Sequence, residues 1–419
     1  MTKAELVFIP FPGIGHLVST VDVAKLLVDR DERLSITFLI MKAGVDSKVD
    51  RFIDSVSAAC KCIRFIDLPK DEHDPNQPIL LSFIESQKPH VKEEVSKLVS
   101  HSELSHDSPR LAGIVVDMFC TSMIDVAKEF GVPSYLFFTS GAAFLGLEFY
   151  IQALHDEQKV DPTEFKDSDA ELVMPWLTNP LPAKLLPSFL LHKEWMPVFL
   201  GQTRRFRETK GIIVNTFEEL ESHAVSSFFK GNTPPVYPVG PILNLNRDGD
   251  HNPRSDRSNK YKDIIQWLDD QPQSSVVYLC FGSAGSFDMD QVKEIACALE
   301  QSGHRFLWSL RQPPPRDKME PPTDYVNFQE VLPEGFLDRT IEIGKVIGWA
   351  PQVDVLAHPS VGGFVSHCGW NSILESIWFG VPVAAWPLHG DEQFNAFQII
   401  IELELGVEIK MDYRKELFF

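Results

Sequence analysis

The sequence predicts an α/β protein built from two doubly wound, Rossmann-like domains facing each other across a cleft. Three observations carry this. The chain has 419 residues, too many for one ordinary core. Short β-rich apolar runs alternate with helical patterns along nearly its whole length, as in parallel sheets covered by helices. Between Asn244 and Lys260 the chain turns polar (NLNRDGDHNPRSDRSNK), as linkers do. The expected division is a first domain over 1–243, a linker over 244–262 and a second domain over 263–419.

In chain order, the first half offers strands at Leu6–Phe11, Ser35–Ile40, Ile63–Leu68, Gly113–Val116 and Ser134–Phe138. Helices are expected between them, notably Ser19–Asp29 and Thr121–Phe130, the latter closed by Gly131 ahead of Pro133. Residues 150–210 are less regular and include the proline-rich MPWLTNPLPAKLLPSF, after which GIIVNTFEELE reads as a strand running into a helix. The second series has strands at Val276–Phe281, Arg305–Leu310, Lys345–Gly348, Gly363–Ser366 and Val381–Trp386. A helix over Asp391–Leu405 and a turn at Gly406 close it.

Composition removes several function classes. With 39 basic and 59 acidic residues the net charge is −20, which opposes nucleic acid and anionic membranes. A small anion remains compatible, because helix ends and a few side chains hold it locally. The six cysteines, Cys60, Cys62, Cys120, Cys280, Cys297 and Cys368, contain no CxxC pair, so neither a disulfide framework nor a zinc site is indicated. The start reads as a first strand, and no apolar run is long enough to span a bilayer. A cytosolic location follows as the expectation. GIGHLV lacks the third glycine of a dinucleotide fingerprint, and no segment fits the serine nucleophile elbow. Asp-x-Asp pairs at Asp29/Asp31, Asp167/Asp169, Asp248/Asp250 and Asp288/Asp290 end no strong strand, and an acidic chain produces such pairs by chance. No metal is expected.

Doubly wound sheets bind at the carboxyl ends of strands where strand order reverses. With order 3-2-1-4-5, the first and fourth strands are neighbours there. The first ends in PGIGH, which delivers His16, and the fourth ends in VVD, which delivers Asp117. A hydroxyl is a poor nucleophile until its proton is taken, and a carboxylate-oriented histidine is suited to that. Capping two helix starts is an equally open role for this pair.

The stretch from Trp349 to Glu392 is richest in polar groups at strand ends. GGFVS runs into HCGWNS, where a helix start supplies free N–H groups for an anion. His367, Asn371 and Ser372 add donors. Glu375 lies one turn beyond Asn371 and suits the vicinal hydroxyls of a ribose. Trp349 suits stacking on a base, and Asp391 either caps the last helix or binds sugar hydroxyls.

This stretch closely resembles the signature box of plant secondary-product UDP-glycosyltransferases, members of glycosyltransferase family 1. WAPQ, VLAHPSVGGFVSHCGWNSILES, GVP and WP fall in register. Further matches are FPGIGH, VVD, VNTFEELE, YPVGP, YLCFGSAGSF and LPEGF, so the resemblance covers nearly the whole chain. It implies a GT-B fold, with acceptor bound by the first domain and UDP-sugar by the second. It implies that Trp349 stacks on uracil, Gln352 contacts the uridine and Glu375 holds the ribose. His367, Asn371 and Ser372, with Ser283, would hold the diphosphate, and Gly369 and Trp370 would be further donor-binding residues. His16 would be the base, Asp117 its partner and Thr139 a residue near the sugar. Such enzymes invert the anomeric centre without a metal or other cofactor, so the UDP-sugar is a co-substrate.

Two departures shape the expectations. The box usually ends in Asp/Glu-Gln, whereas here Asp391 and Glu392 stand there and Gln393 comes one residue later, about 100° around a helix. Glutamate lacks the amide's donors and repels a glucuronate, which leaves glucose as the expected sugar. Relatives also continue past the point where this chain stops, so a truncated chain with weaker domain contacts is expected. The acceptor is expected to be a flavonoid, other phenolic or terpenoid, with Phe137, Phe144 and Phe149 as candidate contacts. The enzyme is expected to be a monomer. Two other functions stay open: a truncated, non-catalytic UDP-sugar binder, and a sugar-nucleotide epimerase, which needs no acceptor.

Overall fold

The apolar runs become strands because helices cover both faces of each sheet, so alternation is unnecessary. In the computed structural model, residues 3–42, 47–69, 79–104, 108–243, 245, 256–315 and 322–412 are described. The chain forms two compact units. The first comprises Met1–Thr163, Met174–Thr178 and His192–Asn244, and the second Glu164–Val173, Asn179–Leu191 and Leu245–Phe419.

The first unit holds a seven-stranded parallel sheet: β1 (Ala4–Ile9), β2 (Leu34–Ile40), β3 (Ile63–Asp67), β4 (Arg110–Asp117), β5 (Ser134–Phe138), β6 (Gly211–Val214) and β7 (Val236–Pro238). Its order is β3-β2-β1-β4-β5-β6-β7, which makes β1 and β4 neighbours in register Ile9 to Val116. Helix α1 (Ile14–Arg30) starts earlier than the apolar pattern suggested, directly after the Pro12-Gly13 turn. Phe8, Leu17, Val21, Phe38, Val115 and Phe137 form the core beneath it. The expected helix Thr121–Phe130 is a 3-10 turn, Thr121–Met123, followed by an α-helix over Ile124–Glu129. Two further helices matter for the site, α2 (Ala142–Asp156) and α3 (Met196–Phe206).

The motif VNTFEELE explains itself here. Asn215, fully buried, accepts from Ile242 N–H (2.7 Å) and donates to its carbonyl (3.3 Å). Glu221 accepts from the N–H groups of Ala142 and Ala143, both at 2.8 Å. Those N–H groups open α2 and have no partner within the helix. A carboxylate from a distant loop therefore caps α2, and the helix expected directly after β6 begins only at Ser222.

In the second unit, β8 (Val276–Cys280), β9 (Arg305–Ser309), β10 (Gly344–Ile347), β11 (Val361–Ser366), β12 (Val383–Ala385) and β13 (Gly406–Glu408) form a parallel sheet of order β10-β9-β8-β11-β12-β13. The strand reversal again lies between the first and fourth strands. Leu279, Val292, Phe306, Trp308, Phe336 and Val365 make its core. The helices of the site are α4 (Trp370–Phe379) and α5 (Glu392–Phe397), which continues as a π-helical turn over Gln398–Glu402.

Three expectations change. The turn expected at Gly406 is β13, paired with β12 through Gly406 and Val383, and too short to read from sequence. Helix Asp256–Asp269 occupies the end of the expected linker, while 244 and 246–255, with Asp248/Asp250, lie outside the described residues. Segments 164–173 and 179–191, expected in the first domain, belong to the second unit. Proline-rich backbone has few ladder partners, and here side chains of that unit supply them. Gln393 donates to the Lys184 carbonyl (2.7 Å), and Glu402 accepts from Asn179 N–H (2.7 Å).

Candidate active site

At the β1/β4 reversal, His16 and Asp117 meet. His16 Nδ1 lies 2.7 Å from Asp117 Oδ2, with the Asp117 side chain fully buried and the His16 side chain 26% exposed. The other carboxylate oxygen, Oδ1, accepts from Phe119 N–H at 3.0 Å. A buried carboxylate holds the tautomer with its proton on Nδ1, which puts the ring's lone pair on Nε2. The N-cap of α1 is Gly13, so His16 does not cap its helix. Thr139, just past β5, places its hydroxyl 3.4 Å from His16 Nδ1. Aromatic rings surround the imidazole: Phe11 at 5.0 Å and Phe119 at 5.6 Å between centroids, with Phe199 of α3 packed 6.4 Å from Phe119.

In the second unit, β11 delivers its polar groups through a strained turn. Cys368 has φ +65°, a left-handed conformation that costs a non-glycine residue about 1–3 kcal/mol. The turn aims the chain into α4, whose N-cap is Gly369. Side chains at Gly282 or Gly369 would come within 2.5 Å and 2.6 Å of His367 Nε2, so two glycines clear the space for this imidazole. Burial holds His367 below its ordinary pKa, favouring the neutral ring. Ser283, in the loop after β8, is exposed beside Gly282.

Gln352 ties the start of the Trp349–Glu392 stretch to α4. Its amide donates to Ser372 Oγ (2.8 Å) and to Glu375 Oε2 (2.7 Å), which sit one turn apart on α4. Burial pushes the Glu375 carboxyl up to about 7, against the Gln352 amide, which favours the charged form. Trp349 follows β10 and is 45% exposed. Its backbone N–H donates to Asp324 Oδ1 at 3.0 Å, which anchors the main chain at this position. Asn371, one residue into α4, is half-buried.

These two constellations sit on a sequence with clear relatives. Residues 189–411 match the family model described as UDP-glucoronosyl and UDP-glucosyl transferase. The chain belongs to this family. An anthocyanidin 3-O-glucosyltransferase 1 of Manihot esculenta is 59% identical over 405 residues, 96% of this chain and 87% of the relative. A UGT transferase from Siraitia grosvenorii, solved in complex with UDP, superposes with TM-score 0.89 at 49% identity, over 98% of this chain and 87% of that one. Medicago truncatula UGT71G1, complexed with UDP-glucose, does so with TM-score 0.84 at 42% identity, over 98% and 86%. The protein is a UDP-glycosyltransferase enzyme with the two Rossmann-like domains of the GT-B class.

For this glycosyltransferase several expected contacts fall elsewhere. Phe137, Phe144 and Phe149 are at most 2% exposed. Phe137 joins the core under α1, and Phe149 packs on Phe206 and Phe228. Burying a ring stabilises by roughly 1.5–3 kcal/mol, which accounts for them without an acceptor. Trp370 is likewise buried, at 4%. Glu392, expected to meet the sugar, turns Oε2 to the backbone N–H groups of Leu388 and His389 and Oε1 to the His389 ring. Asp391 Oδ2 accepts from Asn395 at 2.9 Å.

Conversely, Phe11, Phe119, Phe199 and His389 escaped the sequence reading. A signal existed for two of them, because Phe11 and Phe119 directly follow the strands that deliver His16 and Asp117. Phe199 is brought in by a helix far along the chain. Among the described residues no group of three or more His, Cys, Asp or Glu side chains is placed to hold a metal ion. Asp288 of one Asp-x-Asp pair instead caps the helix Met289–Ser302 by accepting from Gln291 N–H.

Proposed function

We propose that this enzyme transfers glucose from UDP-glucose to a hydroxyl of a flavonoid or related phenolic or terpenoid acceptor, giving a β-O-glucoside. The observation that carries it is the His16–Asp117 contact at 2.7 Å, with Asp117 buried and aromatic rings beside the imidazole. His16 Nε2 takes the acceptor's hydroxyl proton as the oxygen attacks the anomeric carbon. The bond from that carbon to the diphosphate oxygen breaks with its electron pair, UDP departs, and the centre inverts. Asp117 stabilises the imidazolium that forms. His367, Ser283, Asn371, Ser372 and the backbone N–H groups opening α4 receive the negative charge that grows on the leaving diphosphate. Trp349, Gln352 and Glu375 hold the uridine, and Thr139 serves the sugar. Phe11, Phe119 and Phe199 form the apolar wall for the acceptor, which favours a flat aromatic molecule.

The relatives support this donor and acceptor class, being named for anthocyanidin 3-O-glucosylation and solved with UDP-glucose. We place the working enzyme in the cytosol as a monomer. No helix among the described residues is long and apolar enough to cross a membrane, and a charge of −20 disfavours anionic lipid.

Mass spectrometry tests the proposal directly. The purified chain with UDP-glucose and a panel of flavonols, simple phenols and hydroxylated terpenoids should add one hexose. His16→Ala and Asp117→Asn should lower kcat by about 10²–10⁴-fold, the span of a lost general base or its tautomer control. Undiminished transfer by His16→Ala would overturn the mechanism, and a new UDP-sugar formed without acceptor would indicate an epimerase.

A further inference from the structure

The donor side carries a carboxylate where the family pattern has an amide. Glu392 is 4% exposed. Its Oε2 accepts from the N–H groups of Leu388 (2.8 Å) and His389 (2.9 Å). Its Oε1 lies 3.0 Å from His389 Nδ1 and 4.0 Å from His367 Nε2. A buried negative charge at that distance from a diphosphate-binding histidine repels the ligand it serves. We infer that His389 is a positioning residue for donor recognition: its imidazolium pairs with Glu392 and cancels that negative charge beside the UDP diphosphate. The inference rests on the UDP-sugar site proposed above and adds a residue to it.

The geometry supports a working ion pair. The Glu392 side chain is 6% exposed and held from three directions, whereas the His389 side chain is 53% exposed and exchanges protons with solvent. Glu392, Asp391 and His367 are the ionisable groups acting on His389. The hydrogen bond to Glu392 raises the His389 pKa above its ordinary value, with burial opposing. Burial raises the Glu392 carboxyl, but His367 and His389 outweigh it and hold the group below its usual range. The imidazolium is therefore present below the raised His389 pKa and lost as pH climbs through it. UDP affinity should lose that help in the same direction. Glu375 acts on UDP with the opposite sign, so variants are compared at one pH.

The test is calorimetric titration with UDP alone, at about pH 6 and about pH 8.5 to bracket the histidine range. Wild type, His389→Ala, Glu392→Gln and the double variant are compared, with circular dichroism to show that each is folded. At the lower pH, His389→Ala should weaken UDP by about three- to tenfold, the size of a partly screened ion pair. The double variant should bind like Glu392→Gln, because without the carboxylate there is no charge to cancel. At the higher pH the gap between wild type and His389→Ala should close. Wild-type affinity in His389→Ala at the lower pH, or a double variant as weak as His389→Ala, would overturn the inference. UDP binding needs no acceptor, so the expected pattern without glucosyl transfer counts against the proposed function alone. Transfer without a His389 effect counts against this inference alone.

Discussion

Single residues here do chemistry only because a neighbour fixes their protonation. Asp117 has no route to solvent, and its contact with His16 Nδ1 selects the tautomer that a base requires. Glu375 shows the converse, a carboxyl pushed up to about 7 by burial against the single amide of Gln352. Two ribose hydroxyls donating to it would favour its charged form. UDP affinity should therefore rise with pH through about 7 and fall below it, as titrations at several pH values in wild type and Glu375→Gln will show. Wild-type affinity that declines no more than that of Glu375→Gln toward acid would remove Glu375 from the ribose site. Stability of the free enzyme has the opposite sign. The folded form holds this proton more tightly than the unfolded chain, so its stability drops between the ordinary carboxylate range and 7.

At the scale of elements, the site depends on long-range caps. Glu221 holds the first two N–H groups of α2, and Asn215 clasps Ile242 where β7 leaves the sheet. These residues lie in VNTFEELE and hold backbone groups of α2 and of the chain after β7, so the motif works by architecture. Replacing Glu221 with Ala leaves two buried donors without their acceptor, at a cost of about 1–3 kcal/mol. Urea denaturation should show that loss, with the KM for UDP-glucose unchanged because α2 lies outside the donor unit. A changed KM at full stability would give Glu221 a role in the site itself. On the donor side the corresponding device is the left-handed Cys368, whose amide is held by Ser366 Oγ at 3.0 Å and whose carbonyl is held by Asn395 at 3.1 Å.

For the whole molecule, duplication of one topology is the main fact. Both sheets reverse between their first and fourth strands, and each reversal carries one of the two constellations of candidate residues. UDP at a hundred times its Kd stabilises the form that binds it by about 2.7 kcal/mol. Hydrogen exchange should show that protection in the second unit, around Ser283 and from Trp349 to Glu392. Slowing of equal size around His16 and Asp117 would contradict the assignment of donor contacts to one unit.

Sequence alone determined the class, the polar break before the second series and nearly every central strand, and it singled out the His16–Asp117 pair and the Trp349–Glu392 box as candidates. Those features are legible because they are local: a strand is a run of a few apolar residues, and its end delivers the next side chain. Only tertiary structure decided the rest. It placed Phe137, Phe144 and Phe149 in the core, Phe11 and Phe119 beside His16 and Phe199 against Phe119, since aromatic composition does not say which side of a sheet a ring faces. It moved segments of the proline-rich passage to the second unit, where Gln393 and Glu402 satisfy backbone groups some two hundred residues away in sequence. It also turned Glu392 inward against His389, because a buried carboxylate takes the nearest donors and spacing cannot say which those are.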